Sequence, residues 1–303
     1  MGALGIMMLR RGTMANPVGG SDYILSEDRG DPEVFRILME KGVSSDGVGI
    51  TKDDAAKVTS LGTWFKESSI ETFEELKFFV NVKKIDENAF RDCKKLRKID
   101  LTNVTTLSVC CFYGADLSEY DLDMPNAQYI SGVAAWSQWF MNSNLRSIKD
   151  TGLLSSFPGT SQGGALYGCF ASSGIQSAYL NRNVRTLGSS CFAKCEKLQF
   201  ITIEEGLEDI QIDAFTQCTA LKKVDFPSSL KTIADYAMPS MTSLESLVFK
   251  GSTPPAFNGS HILADSTSGL TIYVPDTAVD AYKTANNFSQ YADIIKPLSE
   301  YNG

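Results

Sequence analysis

Residues 210–233 read IQIDAFTQCTALKKVDFPSSLKTI, and their pattern recurs along most of the chain. An Ala–Phe pair, a Cys three residues after the Phe, and then Leu221, Val224 and Phe226 mark one unit. Aligning on the aromatic, with Met at the last copy, picks out Phe90, Phe112, Phe140, Phe170, Phe192, Phe215 and Met238. Four of the six steps are 22 or 23 residues; the other two are 28 and 30 and mark insertions near 131–139 and 150–168. Downstream of each anchor comes an apolar residue (Leu96, Leu117, Leu145, Ile175, Leu198, Leu221, Leu244), and three further on another (Ile99, Tyr120, Ile148, Ala178, Ile201, Val224, Leu247). A third follows two residues later in every unit but one, where Asp150 stands. Upstream, Val82/Ile85, Val104/Leu107, Val184/Leu187, Leu207/Ile210 and Leu230/Ile233 form a second apolar pair.

Each unit thus reads V-x-x-I-x-x-x-A-F-x-x-C-x-x-L-x-x-I-x-L. The I-x-L end alternates with period two, as a short strand with one buried face does. The A-F segment fits a turn that drops its ring into the core. Ordering costs about 1–2 kcal/mol per residue for the backbone alone, more than one unit's few apolar side chains can offset. The units must therefore stack, each strand pairing with the next. The spacing predicts about seven stacked units over residues 82–250, with a parallel sheet along one face.

This repeat, for example IDENAFRDCKKLRKIDL from Ile85 to Leu101, resembles the BspA-like leucine-rich repeat. The ending LTIYVPDTAVDAYKTANNFSQYADII, Leu270 to Ile295, is similar to the capping segment of that class, a Y-V-P strand followed by an A-Y-K helix. The class is common in surface proteins of anaerobic and host-associated bacteria. The resemblance implies an α/β repeat solenoid of leucine-rich-repeat type, with a parallel sheet on one face and helical caps. It also implies a non-enzymatic binding role in adhesion or host contact, at the cell surface or outside the cell, with no shared catalytic residues.

The remaining segments read as ends of that solenoid. Residues 1–30 are expected to be a flexible leader, because the apolar run Gly2–Leu9 is short and Arg10 and Arg11 follow it, whereas a secretory signal puts basic residues first. A cytoplasmic or virion-associated protein therefore stays open beside the surface one. Residues 31–81 are expected to form a helical cap. Asp31–Pro32–Glu33 opens one helix and Gly42 closes it; Thr51 with Asp54 opens another; Thr72 with Glu75 has the spacing of a capping box. Residues 251–303 are expected to form the second cap, a strand near 271–274 and a helix near 276–286. No segment approaches the roughly 18 apolar residues of a membrane span.

Composition narrows the chemistry. The 303 residues carry a net charge of −8, which lacks the basic footprint of a nucleic-acid binder. One histidine, His261, argues against His-based metal sites and most His-dependent catalysis. Of seven cysteines, Cys93, Cys195 and Cys218 lie three residues after the anchor, and Cys111, Cys169 and Cys191 lie immediately before it, where other units have Ala. Only Cys110 falls outside this register. Residues that interchange with Ala are small core fillers. Gly159–Gly163 matches G-x-S-x-G around Ser161, but no helical pattern follows, as a hydrolase nucleophile turn requires. No enzyme, metal or cofactor is expected.

What remains is binding surface. Along the strands, the residue between the two core positions points outward: Asp100, Asp121, Lys149, Tyr179, Thr202, Asp225 and Val248. Asp121, Lys149, Tyr179, Thr202 and Asp225 are the candidates for contact with a protein or glycan ligand across this face. Trp136 and Trp139 in one insertion, with Phe157 and Tyr167 at the other, are candidate protruding platforms; folding back to patch the solenoid is the alternative. A structural part in a larger surface or phage assembly is the second functional reading.

Overall fold

A computed structural model describes residues 22–123, 138–150, 161–162, 165–166, 168–259, 261–266, 269–286 and 288–302. The repeat units stack as successive coils, and three features of each coil line up with the next. On the front lie strands that we number β1 to β10 along the chain. They are β1 (Thr72–Phe73), β2 (Lys98–Ile99), β3 (Asp121–Asp123), β4 (Ser147–Asp150), β5 (Ser177–Leu180), β6 (Phe200–Ile203), β7 (Lys223–Phe226), β8 (Ser246–Phe249), β9 (Thr271–Val274) and β10 (Ile295–Pro297). All front pairings are parallel.

The upstream apolar pairs, expected as core positions only, also build a second parallel ladder. Lys84–Ile85 pairs with Thr106–Leu107, and Thr186–Leu187, Asp209–Ile210, Thr232–Ala234 and Ala256–Asn258 follow one another in register. Two or three residues per strand are too few to announce themselves by alternation.

The anchors form the third feature. Six near-parallel contacts link Phe65, Phe90, Phe112, Phe140, Phe170, Phe192 and Phe215, with centroids 5.1–5.7 Å apart. Strand spacing in a sheet, about 4.8 Å, sets such a repeat, and the rings offset slightly to satisfy their quadrupoles. The backbone locks the same column. Phe90 N–H donates to Cys111 O at 2.8 Å, Phe112 to Trp139 at 2.9 Å, Phe192 to Ala214 at 2.8 Å and Met238 to Ile262 at 3.0 Å. Each turn needs left-handed residues, notably Asn88 and Asp92, Ser190 and Lys194, and Asp213 and Gln217, all with φ of 57° or 58°. Asn and Asp tolerate that region best, as at Asn88, Asp92 and Asp213, whereas Lys194 and Gln217 are held there by the turn.

The column also shows where the solenoid extends beyond the expected seven units. Phe65 stacks on Phe90 one coil earlier, and Met238 N–H pairs one coil later with Ile262, beside the buried Leu263. Neither outer unit has the Ala–Phe signature, so the pattern missed both.

At the N-terminal end, α1 (Pro32–Glu40) begins at Asp31, whose Oδ1 accepts from Glu33 and Val34 N–H. Its Oδ2 accepts from Glu71 N–H at 2.6 Å and Thr72 N–H at 3.0 Å, so one carboxylate caps the helix and ties it to the first front strand. A complete capping box at Thr51 and Asp54 starts α2 (Lys52–Lys57). Two expectations fail here. Residues 23–25, assigned to a flexible leader, form a strand paired antiparallel with Ile50–Thr51, burying Ile24 and Leu25. Thr72 does not cap a helix: it belongs to β1, and the short 3-10 turn after it, Glu74–Phe78, has no side-chain cap. Pairing with Lys98–Ile99 outweighs the local signal. Residues 1–21 lie outside the described residues.

At the other end, a 3-10 turn (Asp276–Ala278) leads into α3 (Val279–Thr284). Tyr282 is fully buried with its hydroxyl donating to Gly251 O at 2.9 Å, and Phe288 stacks on Phe257 at 3.8 Å. Among the described residues no helix is long and apolar enough to cross a membrane.

Candidate functional site: the front strand face

Side chains at alternate positions of the front strands emerge from the solenoid. The ladder beneath them is not continuous. Hydrogen-bonded pairing runs β1–β2, then β3 to β6, then β7 to β10, with none between β2 and β3 or between β6 and β7. The anchor column stays bonded through both coils, so the front opens while the opposite edge stays closed. The two interruptions are two clefts, and the candidate ligand residues divide between them.

The first cleft has a volume of about 370 Å³ and collects Asp100, Asp121, Arg146 and Lys149. Arg146 grips Asp121 with two hydrogen bonds of 2.7 Å, Ser147 Oγ adds a third at 2.5 Å, and Lys149 Nζ lies 3.9 Å away. The Arg146 guanidinium, with the Ser147 hydroxyl, holds the Asp121 carboxyl below its usual range despite partial desolvation. Lys77 faces Asp100 at 3.9 Å, and Arg97 bridges Glu71 at 2.7 Å and Glu119 at 3.3 Å. Every cation here has an anion within reach. The surface is charged but self-compensating.

The second cleft, about 670 Å³, brings Thr202 and Asp225 together with Phe200, Ile201, Lys222 and Lys223. Phe200 is 68% exposed. It was missed although a signal existed. The position before the inward residue is Lys98, Glu119, Ser147, Ser177, Lys223 or Ser246 in the other units, and Phe only here. Tyr179 stands between the clefts, donating to Glu204 Oε1 at 2.6 Å and drawing that carboxyl below its usual range.

Two expectations are corrected. Val248, assigned to the outward row, is 3% exposed. Its register partner Tyr273 packs 4.7 Å from Tyr301, whose ring also lies 4.6 Å from Lys223 Nζ. The C-terminal segment crosses this part of the face and covers it. Trp139, a candidate platform, is 1% exposed. It occupies the small-residue position before the anchor Phe140, so the indole fills the core between coils, and no ligand can reach it. Its Nε1 is buried without a hydrogen-bond partner. Trp136, Phe157 and Tyr167 lie outside the described residues.

The chemistry-bearing motifs are not assembled into a site. Ser161 lies on a two-residue strand paired antiparallel with Ala165–Leu166, not at a strand-to-helix turn. His261 stacks on Tyr236 at 4.8 Å with Nδ1 3.4 Å from Asp235, in the coil after the last aromatic anchors. All seven thiols are buried. Those after the anchor do more than fill space: Cys93, Cys195 and Cys218 point at the carbonyls of Phe65, Phe170 and Phe192, at 2.9, 3.1 and 3.2 Å. Desolvation pushes Cys93 up to about 11 and Cys195 to about 12, which makes them poor nucleophiles. Among the described residues no cluster of His, Cys, Asp and Glu is arranged to hold a metal ion.

Similar solved structures include a leucine rich cell surface protein from Faecalibacterium prausnitzii A2-165, 18% identical over 72% of this chain and 58% of that one, with a TM-score of 0.31. Another is the pneumococcal vaccine antigen PcpA, 15% identical over 72% of this chain and 64% of that one, with a TM-score of 0.34. A third is a leucine-rich repeat protein from Bacteroides ovatus ATCC 8483, 14% identical over 72% and 82%, with a TM-score of 0.29. The chain thus spans less than two thirds of the length of the first two. No curated protein matches the sequence. The profile described as BspA type leucine rich repeat region matches six copies, over residues 62–157 and 167–281, and it reaches Phe65 at one end and Leu263 at the other, as the stacked coils do. The chain belongs to the BspA-type leucine-rich repeat family.

Proposed function

We propose that this chain is a non-catalytic recognition module that binds a protein or glycan partner through the outer face of its front strands, in surface adhesion or host contact. One observation carries this reading. The outward side chains of successive coils, distant in sequence, converge on two clefts in a face whose backbone ladder opens at those same places. Family membership supports it, because the repeat builds a scaffold and leaves the outward positions free to vary. The same membership supports a place at the cell surface or outside the cell. The mechanism is complementarity of shape and charge on a preformed surface, with little ordering cost on binding.

The test is binding of the purified chain to host epithelial-cell surfaces with charge reversals on two sides. Arg146→Glu with Lys149→Glu alters the front; Lys231→Glu, just before the rear strand Thr232–Ala234, alters the rear. A loss of about tenfold or more confined to the front variant is expected, the size typical of interface charges. Equal losses, or none, would overturn the front face as the recognition surface.

A further inference from the structure

We propose that the cleft on the outer face over the seam between β6 and β7 is a carbohydrate site that takes a short neutral oligosaccharide, with one pyranose ring stacked on Phe200. This deepens the recognition reading above and rests on it. Phe200 is 68% exposed and interrupts a column that is otherwise Lys, Glu and Ser, so it contributes nothing to the core. A flat ring held out on a rigid strand suits a flat apolar partner, and its electron-rich face attracts C–H groups. The cleft beside it, about 670 Å³, lies within the ~300–1,000 Å³ typical of small-ligand sites.

The walls supply the polar half. Glu204 N–H donates to Leu180 O on one side, and Lys222 O accepts from Glu245 and Ser246 N–H on the other. Above this seam the cleft is lined by Thr202, Lys222, Lys223 and Asp225, which alternate hydroxyl, ammonium and carboxylate groups. No hydrogen bond crosses. Asp225 Oδ1 is buried 3.3 Å from Lys223 Nζ in a geometry that makes no hydrogen bond. Interleaved donors and acceptors suit hydroxyl groups, each of which is both.

Two alternatives fit less well. An extended peptide added between the strands would need about 9.6 Å, twice the ~4.8 Å strand spacing, yet Cα atoms of β6 and β7 approach within 8 Å. An anionic ligand would need a cation to meet it, but Lys222 pairs with Glu245 at 3.1 Å and Lys223 with Asp225 at 3.3 Å. A ligand with an apolar face, a rim of hydroxyls and no charge matches what is left: a neutral sugar.

The probes are maltotriose, cellotriose, chitotriose and mannotriose, with sialyllactose as the anionic comparator, titrated into the full chain and followed by calorimetry. At least one neutral trisaccharide should bind. Phe200→Ala should weaken it about tenfold, Phe200→Trp should restore it, and neither should change the thermal midpoint, since the residue is exposed. Several results would overturn the site: no neutral sugar binding, equal binding by the Ala variant, or preference for sialyllactose. If the sugars fail while the front-face charge reversals still abolish cell binding, the carbohydrate inference falls and the recognition role stands. If both fail, both fall.

Discussion

The anchor column and the front face are built by the same repeat and obey different rules. Along the column, Phe follows Phe from coil to coil, rings stay within 5.7 Å, and backbone hydrogen bonds continue through the coils where the front has opened. Across the front, outward residues change from Asp to Lys to Tyr to Phe, and the ladder breaks twice. A buried ring is held by neighbours above and below, so one wrong residue costs two interfaces. An outward residue meets solvent, so sequence can vary and strands can part. The solenoid is thus a rigid spine carrying a permissive surface.

The largest expected effect separates the two regions directly. Phe192→Ala should cost about 3–5 kcal/mol in denaturant unfolding, the usual range for a buried Phe truncated to Ala. Phe200→Ala, eight residues away, should stay within about 0.5 kcal/mol. Similar losses for both would break the distinction between spine and surface.

Next in size is the joint between cap and spine. Asp31→Ala removes a helix cap and leaves the Glu71 and Thr72 amides without their acceptor, a loss of about 2–3 kcal/mol. Amide exchange should rise first around α1 and β1. Exchange that rises uniformly along the chain would show that the cap is not a separable unit.

The cysteines test the spine by pH. Burial raises the folded pKa above the reference of 9.0 to about 11 at Cys93 and about 12 at Cys195. The protonated thiol is the form the fold favours. Their contribution is therefore complete below pH 9 and is lost as pH climbs toward 11–12, where the unfolded chain has released protons that the native state keeps. Stability should fall over that window, and all seven thiols should react with a disulfide reagent only after unfolding. A thiol that titrates rapidly in the native state at pH 8 would contradict its burial.

The smallest effect is a gain. Lys194 adopts φ of 58° in the anchor turn. Lys194→Gly should relieve the left-handed strain and raise stability by about 0.5–1 kcal/mol. A loss would mean that Lys194 contributes a contact that outweighs its strain.

Much of this molecule was legible in one dimension. The coil period, the anchors, most inward positions, the burial of the cysteines in register, and the helices opened by Asp31–Pro32–Glu33 and Thr51–Asp54 all rest on local chemistry or on repetition. The candidate site was only half legible. Asp121, Lys149, Thr202 and Asp225 are outward by parity, and the structure places them in clefts. Phe200 could have been found by reading down its column. For Trp139 the structure takes the second of the two sequence readings, folding back into the core; Val248 could not be placed, because nothing near it in sequence says that Tyr301 returns to the front.

By itself, then, the sequence determined a stack of coils, because apolar periodicity and small-residue positions act within one unit and simply repeat. Tertiary structure alone decided where the front ladder opens, where the C-terminal segment covers it, and where the stack continues without its signature at Phe65 and Leu263. Those outcomes depend on contacts between residues one or more coils apart, whose strength no single unit encodes.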